Sequence, residues 1–204
     1  MYGASEHRPP APQQAPVSTV KFVVSGGFGV GKTTFVGAVS EIEPLVTEAA
    51  MTEVSLGVDD VFAVDKTMTT VALDFGRITI DDDVILYLFG TPGQDRFAFL
   101  WDDLVEGALG AVVLVDPRRI QDCYPALDYF EERSIPFLLG VNNFDGAARF
   151  DVEEIREALG VGADLPIVDC DARRRDDVKN VLVSLIQEVI SRRAGRDRLQ
   201  HQSL

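Results

Sequence analysis

An α/β fold, with a largely parallel sheet and helices on both faces, follows from three observations on the 204 residues. Short apolar runs alternate with amphipathic stretches for most of the chain, the order that buries a parallel sheet between two helical layers through right-handed crossovers. Several runs, among them Val84–Phe89, Ala111–Val115 and Ile135–Val141, are apolar throughout, as strands covered on both faces should be. The first run, Val20–Val24, leads through Gly26-Gly27-Phe28-Gly29-Val30-Gly31-Lys32-Thr33-Thr34 into Phe35–Val39. That is a strand, a tight glycine loop and a helix, whose successive amides and positive helix end suit an anion.

Taken in order, residues 1–17 are rich in Pro, Gln and Ala, and their low apolar content predicts a disordered tail. Val20–Ser25 reads as a buried strand, and a helix follows from about Lys32 to Ile42, closed by Pro44. Leu45–Thr69 reads as a long, partly structured excursion, with a candidate short strand at Val58–Val64 and a polar run at Thr67–Thr70. Val71–Ile80 and Val84–Phe89, joined by Asp81-Asp82-Asp83, predict a hairpin whose first strand carries polar residues and lies at an edge. After the loop Gly90–Asp95, an amphipathic segment spans about Phe97–Glu106. Ala111–Val115, Ile135–Val141 and Ile167–Cys170 continue the strands; Tyr124–Glu132, Val152–Leu159 and about Asp176–Arg192 continue the helices. One domain over 18–192 is thus flanked by a tail at 1–17 and a flexible polar tail at 193–204.

Composition excludes several chemistries. The 33 acidic residues outnumber the 19 basic ones for a net charge of −14, which argues against a nucleic-acid surface or an anionic membrane patch. The only lysines are Lys21, Lys32, Lys66 and Lys179, so one inside the glycine loop is not filler. Cys123 and Cys170 are too few for a disulfide framework, and His7 and His201 lie near the ends, which leaves the core no imidazole for a triad or a His-ligated metal. No stretch of eighteen apolar residues and no signal or prenylation motif occurs, so a cytoplasmic protein that meets membranes only through partners is expected.

Ligands of such sheets bind beyond the carboxyl ends of the strands, and four loops fall there. The first, Gly26–Thr34, matches G-x-x-x-x-G-K-[ST], a polyphosphate cradle in which Lys32 supplies an ammonium and Thr33 a hydroxyl for a cation. The second is Gly90-Thr91-Pro92-Gly93-Gln94, where the Gly93 amide can meet a terminal phosphate and Gln94 can orient a water. The third is Asn142-Asn143-Phe144-Asp145: a carboxylate accepting two N–H bonds from a base edge needs a base with two adjacent donors, which guanine has and adenine lacks. A plain Asx turn is the alternative. The fourth is Asp171-Ala172-Arg173, where the Ala172 amide could meet a base carbonyl.

With these motifs the chain resembles the Ras-like small GTPases, in particular the bacterial MglA-type branch. Thr91-Pro92-Gly93-Gln94-Asp95-Arg96-Phe97 followed by Trp101-Asp102-Asp103-Leu104 resembles the GTP-binding member of the actinobacterial conservon operons. The resemblance covers about residues 18–192. It implies the three-layer P-loop NTPase fold of the small G proteins: a mostly parallel six-stranded sheet with one antiparallel edge strand, plus an extra short strand near Val58–Val64. It also implies GTP or GDP as ligand, Mg2+ as cofactor, and as partners a roadblock-type dimer, a sensor-kinase-like membrane protein and a small helix-turn-helix protein. Asn143 departs from the family's pattern, standing where a lysine packs along the base and phosphate loop. Gly90 stands where an Asp usually holds the magnesium, and Phe28 where many relatives carry Gly, a bulk that can hinder an incoming arginine. Mg2+ is then expected on Thr33 and a switch threonine, Thr70 or its neighbour Thr69.

Three functions remain open on these residues. The first is a GTP-hydrolysing switch with Gln94, Lys32 and Thr70 as its catalytic set, slow on its own because neither Arg96 nor Arg77 is convincingly a finger. The second is a nucleotide-binding scaffold with little hydrolysis, suggested by Gly90 and Phe28. The third is a P-loop ATPase. Phe97, Phe99, Leu100 and Trp101 form either a partner surface or a core-facing stripe.

Overall fold

The computed structural model of the chain describes residues 17–43, 47–51, 69–81 and 83–201. The strands are β1 Ser18–Ser25, β2 Thr47–Met51, β3 Thr69–Leu73, β4 Phe75–Asp81, β5 Val84–Gly90, β6 Gly110–Val115, β7 Phe137–Asn142 and β8 Ile167–Cys170. The α-helices are α1 Lys32–Val39, α2 Trp101–Val105, α3 Tyr124–Glu132, α4 Val152–Leu159 and α5 Arg175–His201, with 3-10 turns at Asp95–Leu100 and Pro117–Cys123. Six strands form one sheet in the order β4-β5-β1-β6-β7-β8, parallel except for β4, which runs antiparallel to β5 at the edge. This is the expected fold class.

Alternation along the central strands sends successive side chains to opposite faces. Phe22 and Val24 of β1, Val112 and Leu114 of β6 and Leu138 of β7 face α1 and α5, where Phe35, Val36, Val181 and Leu185 are buried. Val23, Val113, Leu139 and Val141 face the other layer, packing with Trp101 of α2, Phe130 of α3 and Ile155 of α4. On α5 the buried Val178, Val181, Leu182, Leu185 and Val189 recur at helical spacing and form one apolar stripe. The start of α4 is fixed by a capping box, in which the Asp151 carboxylate accepts from the Glu154 amide and the Glu154 carboxylate from the Asp151 amide.

Four features differ from the sequence expectations. The edge strand expected at Val71–Ile80 is divided at Asp74: β3 pairs antiparallel with β2 in a separate two-stranded sheet, while β4 pairs with β5. Thr70, expected just ahead of that strand, sits inside β3 opposite Ala50. Helix α1 stops at Val39, because the Ser40 hydroxyl turns back to accept from the Ile42 amide and donate to its carbonyl. Helix α5 runs on to His201, through most of the segment whose polarity suggested a flexible tail; within that extension the Arg198 guanidinium donates to the Ala194 carbonyl one turn back. The candidate strand at Val58–Val64 and the N-terminal tail up to residue 16 lie outside the described residues.

Candidate nucleotide site

The phosphate loop turns out of β1 through three residues of positive φ, Gly26 at 132°, Gly29 at 74° and Gly31 at 106°. Gly31 has a second reason to lack a side chain: a Cβ there would lie 2.6 Å from the Asn142 amide nitrogen. Lys32 follows in the first turn of α1, and its buried ammonium donates to the Gly26 and Gly27 carbonyls at 2.8 Å each. Burial pulls its pKa down to about 8, an effect that the nearby Asp74 carboxylate partly offsets. The loop is therefore held in a curled form by the same ammonium that would meet a phosphate. Thr33 and Thr34 are exposed at the cleft.

A cleft of about 460 Å³ opens over this loop. Its walls include Lys32, Thr33, Asp74, Thr91, Gly93 and Gln94, so the first and second loops meet as expected. The junction is tight: a Cβ on Gly93 would lie 2.6 Å from the Lys32 ammonium and 2.9 Å from the Phe28 Cα. Behind it, the buried Thr91 hydroxyl bonds to the Ser25 hydroxyl at 2.9 Å, and the Thr91 amide donates to the Val24 carbonyl. Gln94 is exposed, and its side-chain carbonyl accepts from Arg96 Nε at 2.9 Å, so Arg96 steers the glutamine. Phe97 and Trp101 are buried, whereas Phe99 is 57% exposed, which divides that stripe between core and surface.

Asn142 ties three loops together at the ends of β1, β7 and β8. Its side-chain amide donates to the Val30 carbonyl at 2.8 Å, and its side-chain carbonyl accepts from the Ala172 amide at 2.9 Å. Ala172 N–H is thus paired within the protein here, not free for a base carbonyl as the sequence suggested. Asn143 is half-buried and donates its backbone N–H to the Cys170 carbonyl. Asp145 is exposed, and the Arg173 guanidinium grips both its oxygens while also bonding to Asp171. Those bonds hold the carboxyls of Asp145 and Asp171 below the ordinary range, Asp171 at about 2.

Two contacts escaped sequence reasoning. The Arg119 guanidinium, carried by the turn after β6, donates to the Phe28 carbonyl at 2.8 Å and clamps the phosphate loop from the side. Its distance of 91 residues from Phe28 left no sequence signal. The Arg118 guanidinium carbon lies over the Phe144 ring, 3.8 Å from its centroid, and the guanidinium is anchored by the buried Asp116. Here a weak signal existed, since Asp116-Pro117 ends an apolar strand on the ligand side of the sheet.

Among the described residues no three His, Cys, Asp or Glu side chains cluster to hold a metal, and no helix is long and apolar enough to cross a membrane. A magnesium ion bound to nucleotide does not need a protein cage: it takes one or two protein oxygens and fills its octahedron with phosphates and water. The Thr33 hydroxyl and the Asp74 carboxylate, both in the cleft wall, fit that donor set.

A strand, a curled glycine loop and a helix opening with Lys32-Thr33, set at the carboxyl edge of a doubly covered sheet, define a P-loop nucleotide-binding domain of the small G-protein fold. The chain belongs to the family described as conserved hypothetical ATP binding proteins, which it matches over residues 24–192. It is also 31% identical over 128 residues to an uncharacterized protein of Methanocaldococcus jannaschii, covering 62% of this chain and 71% of that one. A Ras-related protein of Saccharomyces cerevisiae, SEC4, is 27% identical over 135 residues, covering 60% of this chain and 63% of the relative. Among solved structures, the G domain of the T. maritima FeoB iron transporter superposes with a TM-score of 0.56 at 19% identity, covering 85% of this chain and 98% of that one. At that identity the likeness concerns the fold.

Proposed function

We propose that this domain binds guanine nucleotides with Mg2+, hydrolyses GTP slowly to GDP and phosphate, and acts as a switch read by partner proteins. The observation that carries this reading is the exposed Asp145 carboxylate, presented after β7 by a loop that Asn142 fastens to the phosphate loop. Two acceptor oxygens at that place match the adjacent N–H donors of guanine and find no such pair on adenine. The kinship to a Ras-related protein points the same way.

In the reaction a water attacks the terminal phosphoryl group. Gln94 positions that water, and Lys32 with the amides of Gly26–Thr34 and Gly93 takes up the charge that develops on the phosphate oxygens. Bound magnesium supplies further neutralisation of that charge. Loss of the terminal phosphate then releases the Gly93–Gln94 loop and the Thr70 segment, and this changes the surface a partner sees. The resemblance to the MglA-type and conservon GTP-binding proteins suggests a roadblock-type dimer, a membrane sensor-kinase-like protein and a helix-turn-helix protein as partners in the cytoplasm.

A second reading, ATP binding, is favoured by the description of the family and by Arg173, which occupies the base-reading carboxylate. Identification of the nucleotide that copurifies with the chain, followed by single-turnover hydrolysis of GTP and of ATP, separates the readings. GDP or GTP in the purified protein and a GTP rate that falls at least tenfold in Gln94→Ala support the switch. Bound ATP or ADP supports the alternative, and a GTP rate no faster than the uncatalysed one leaves a scaffold.

A further inference from the structure

Strand order places the turn after β6 between the phosphate loop, which leaves β1, and the base loop, which leaves β7. Asp116 follows β6 directly, and its carboxylate is buried. It accepts from Nε and one Nη of Arg118 at 2.9 and 2.8 Å and faces an Nη of Arg119 at 3.8 Å. From this shared carboxylate the two guanidiniums diverge: Arg118 covers the Phe144 ring beside Asp145, whereas Arg119 donates to the Phe28 carbonyl at 2.8 Å. Asp122, 3.5 Å from the Arg119 guanidinium, also meets the phosphate loop, since a Cβ on Gly27 would lie 2.6 Å from Asp122 Cβ. One buried carboxylate thus holds an arginine on each of two loops.

A trans peptide directs its carbonyl and its N–H to opposite sides, and no cis peptide occurs among the described residues. With the Phe28 carbonyl held by Arg119, the Gly29 N–H of the same peptide therefore points away from Arg119. Phe28 and Gly29 line the cleft, and the Gly93 loop packs on them: a Cβ on Gly93 would lie 2.9 Å from Phe28 Cα and 3.0 Å from the Phe28 nitrogen. On the proposed reading that is the terminal-phosphate end of the cradle. A cation bonded to the carbonyl also polarises the amide and strengthens its N–H as a donor. We propose that Arg119 and Arg118 are positioning residues carried by one carboxylate, Arg119 setting the Gly29 N–H for the terminal phosphate and Arg118, through Phe144, setting the Asp145 loop for the base. The inference rests on the reading that the cleft takes a nucleoside triphosphate. It goes further in giving the turn after β6 a part in telling triphosphate from diphosphate and one base from another.

The test is equilibrium binding of mant-labelled GDP, ADP and the non-hydrolysable triphosphates GppNHp and AppNHp to the full chain. In the base series that the wild type prefers, Arg119→Ala is expected to weaken the triphosphate about tenfold and the diphosphate less than about threefold, one charge-assisted contact being lost. Arg119→Lys keeps a cationic donor and is expected to bring the triphosphate back to within about threefold of wild type. Arg118→Ala is expected to leave the ratio of triphosphate to diphosphate affinity unchanged and to shrink the preference between bases about threefold, the scale of an exposed cation–π contact. Asp116 is kept in every variant, because substitution of a buried carboxylate reads on folding. Equal weakening of both phosphate forms by Arg119→Ala, or no recovery in Arg119→Lys, makes Arg119 a structural contact of the loop and overturns the proposal. A base preference unmoved by Arg118→Ala overturns it as well. Failure of the wild type to bind any of the four overturns the nucleotide reading, and the proposal with it, before any variant is compared.

Discussion

Arg173 and Asp145 are paired beyond the ends of β8 and β7, the guanidinium donating to the two carboxylate oxygens from a residue 28 positions along the chain. The carboxylate proposed to read the base is therefore engaged by a side chain of its own protein. On the proposed reading, Arg173 must swing aside before a guanine edge can pair with Asp145. Removing it should speed nucleotide entry: Arg173→Ala is expected to raise the association rate of mant-GDP about two- to fivefold in stopped-flow mixing, the range an exposed ion pair accounts for. A slower rate would mean that Arg173 contacts the nucleotide on the way in.

Asn142 has a different role, since its side chain is buried and both ends are used. Asn142→Ala leaves the Val30 carbonyl and the Ala172 amide without partners at the junction of three loops. Two buried groups left unpaired cost about 2–5 kcal/mol. Urea unfolding of the nucleotide-free protein should show a loss in that range with an unchanged slope, while a loss under 1 kcal/mol would show that the loops are held by other contacts.

The core and the phosphate loop were legible because their signals are local. Apolar runs, turn residues and the spacing of Gly26, Gly31, Lys32 and Thr33 carry the fold and the cradle in consecutive residues. The boundaries of α3 and α4 fell where the amphipathic pattern placed them. The division at Asp74 was hidden, because a polar residue between Leu73 and Phe75 reads as one more outward side chain on an edge strand. Its meaning depends on Gly90, which only the pairing of β4 with β5 brings alongside. Arg119 on Phe28, and the engagement of Asp145 by Arg173, likewise depend on loops that meet only after the sheet has formed.

Lys32 gives a prediction in pH. Its pKa is lowered from 10.5 in the free side chain to about 8 in the folded, empty protein, chiefly by burial. The unfolded chain thus holds more protons than the folded one between pH 8 and 10.5, so this group's contribution to stability rises with pH through that window and is lost as pH falls through 8. Below pH 8 the buried ammonium costs the empty protein on the order of 3 kcal/mol. Phosphates supply the missing counter-charge and restore the pKa, so nucleotide binding at pH 8 should take up about half a proton. Calorimetric titration in buffers of different ionisation heat measures this directly, and Lys32→Met should abolish the uptake. Proton release at pH 8 would contradict the assignment.

The claim at the centre of the account is that Asp145 selects guanine, against a family description that names ATP. Equilibrium competition of GTP, ATP and xanthosine triphosphate for the mant-GDP-loaded protein, with Mg2+ present, tests it most directly. The wild type should prefer GTP over ATP by at least a hundredfold. Asp145→Asn, which offers one donor and one acceptor in place of two acceptors, should lose that preference and favour the xanthine nucleotide, whose ring carries a carbonyl where guanine has its amino group. ATP binding as tight as GTP in the wild type, unchanged in Asp145→Asn, would contradict the account.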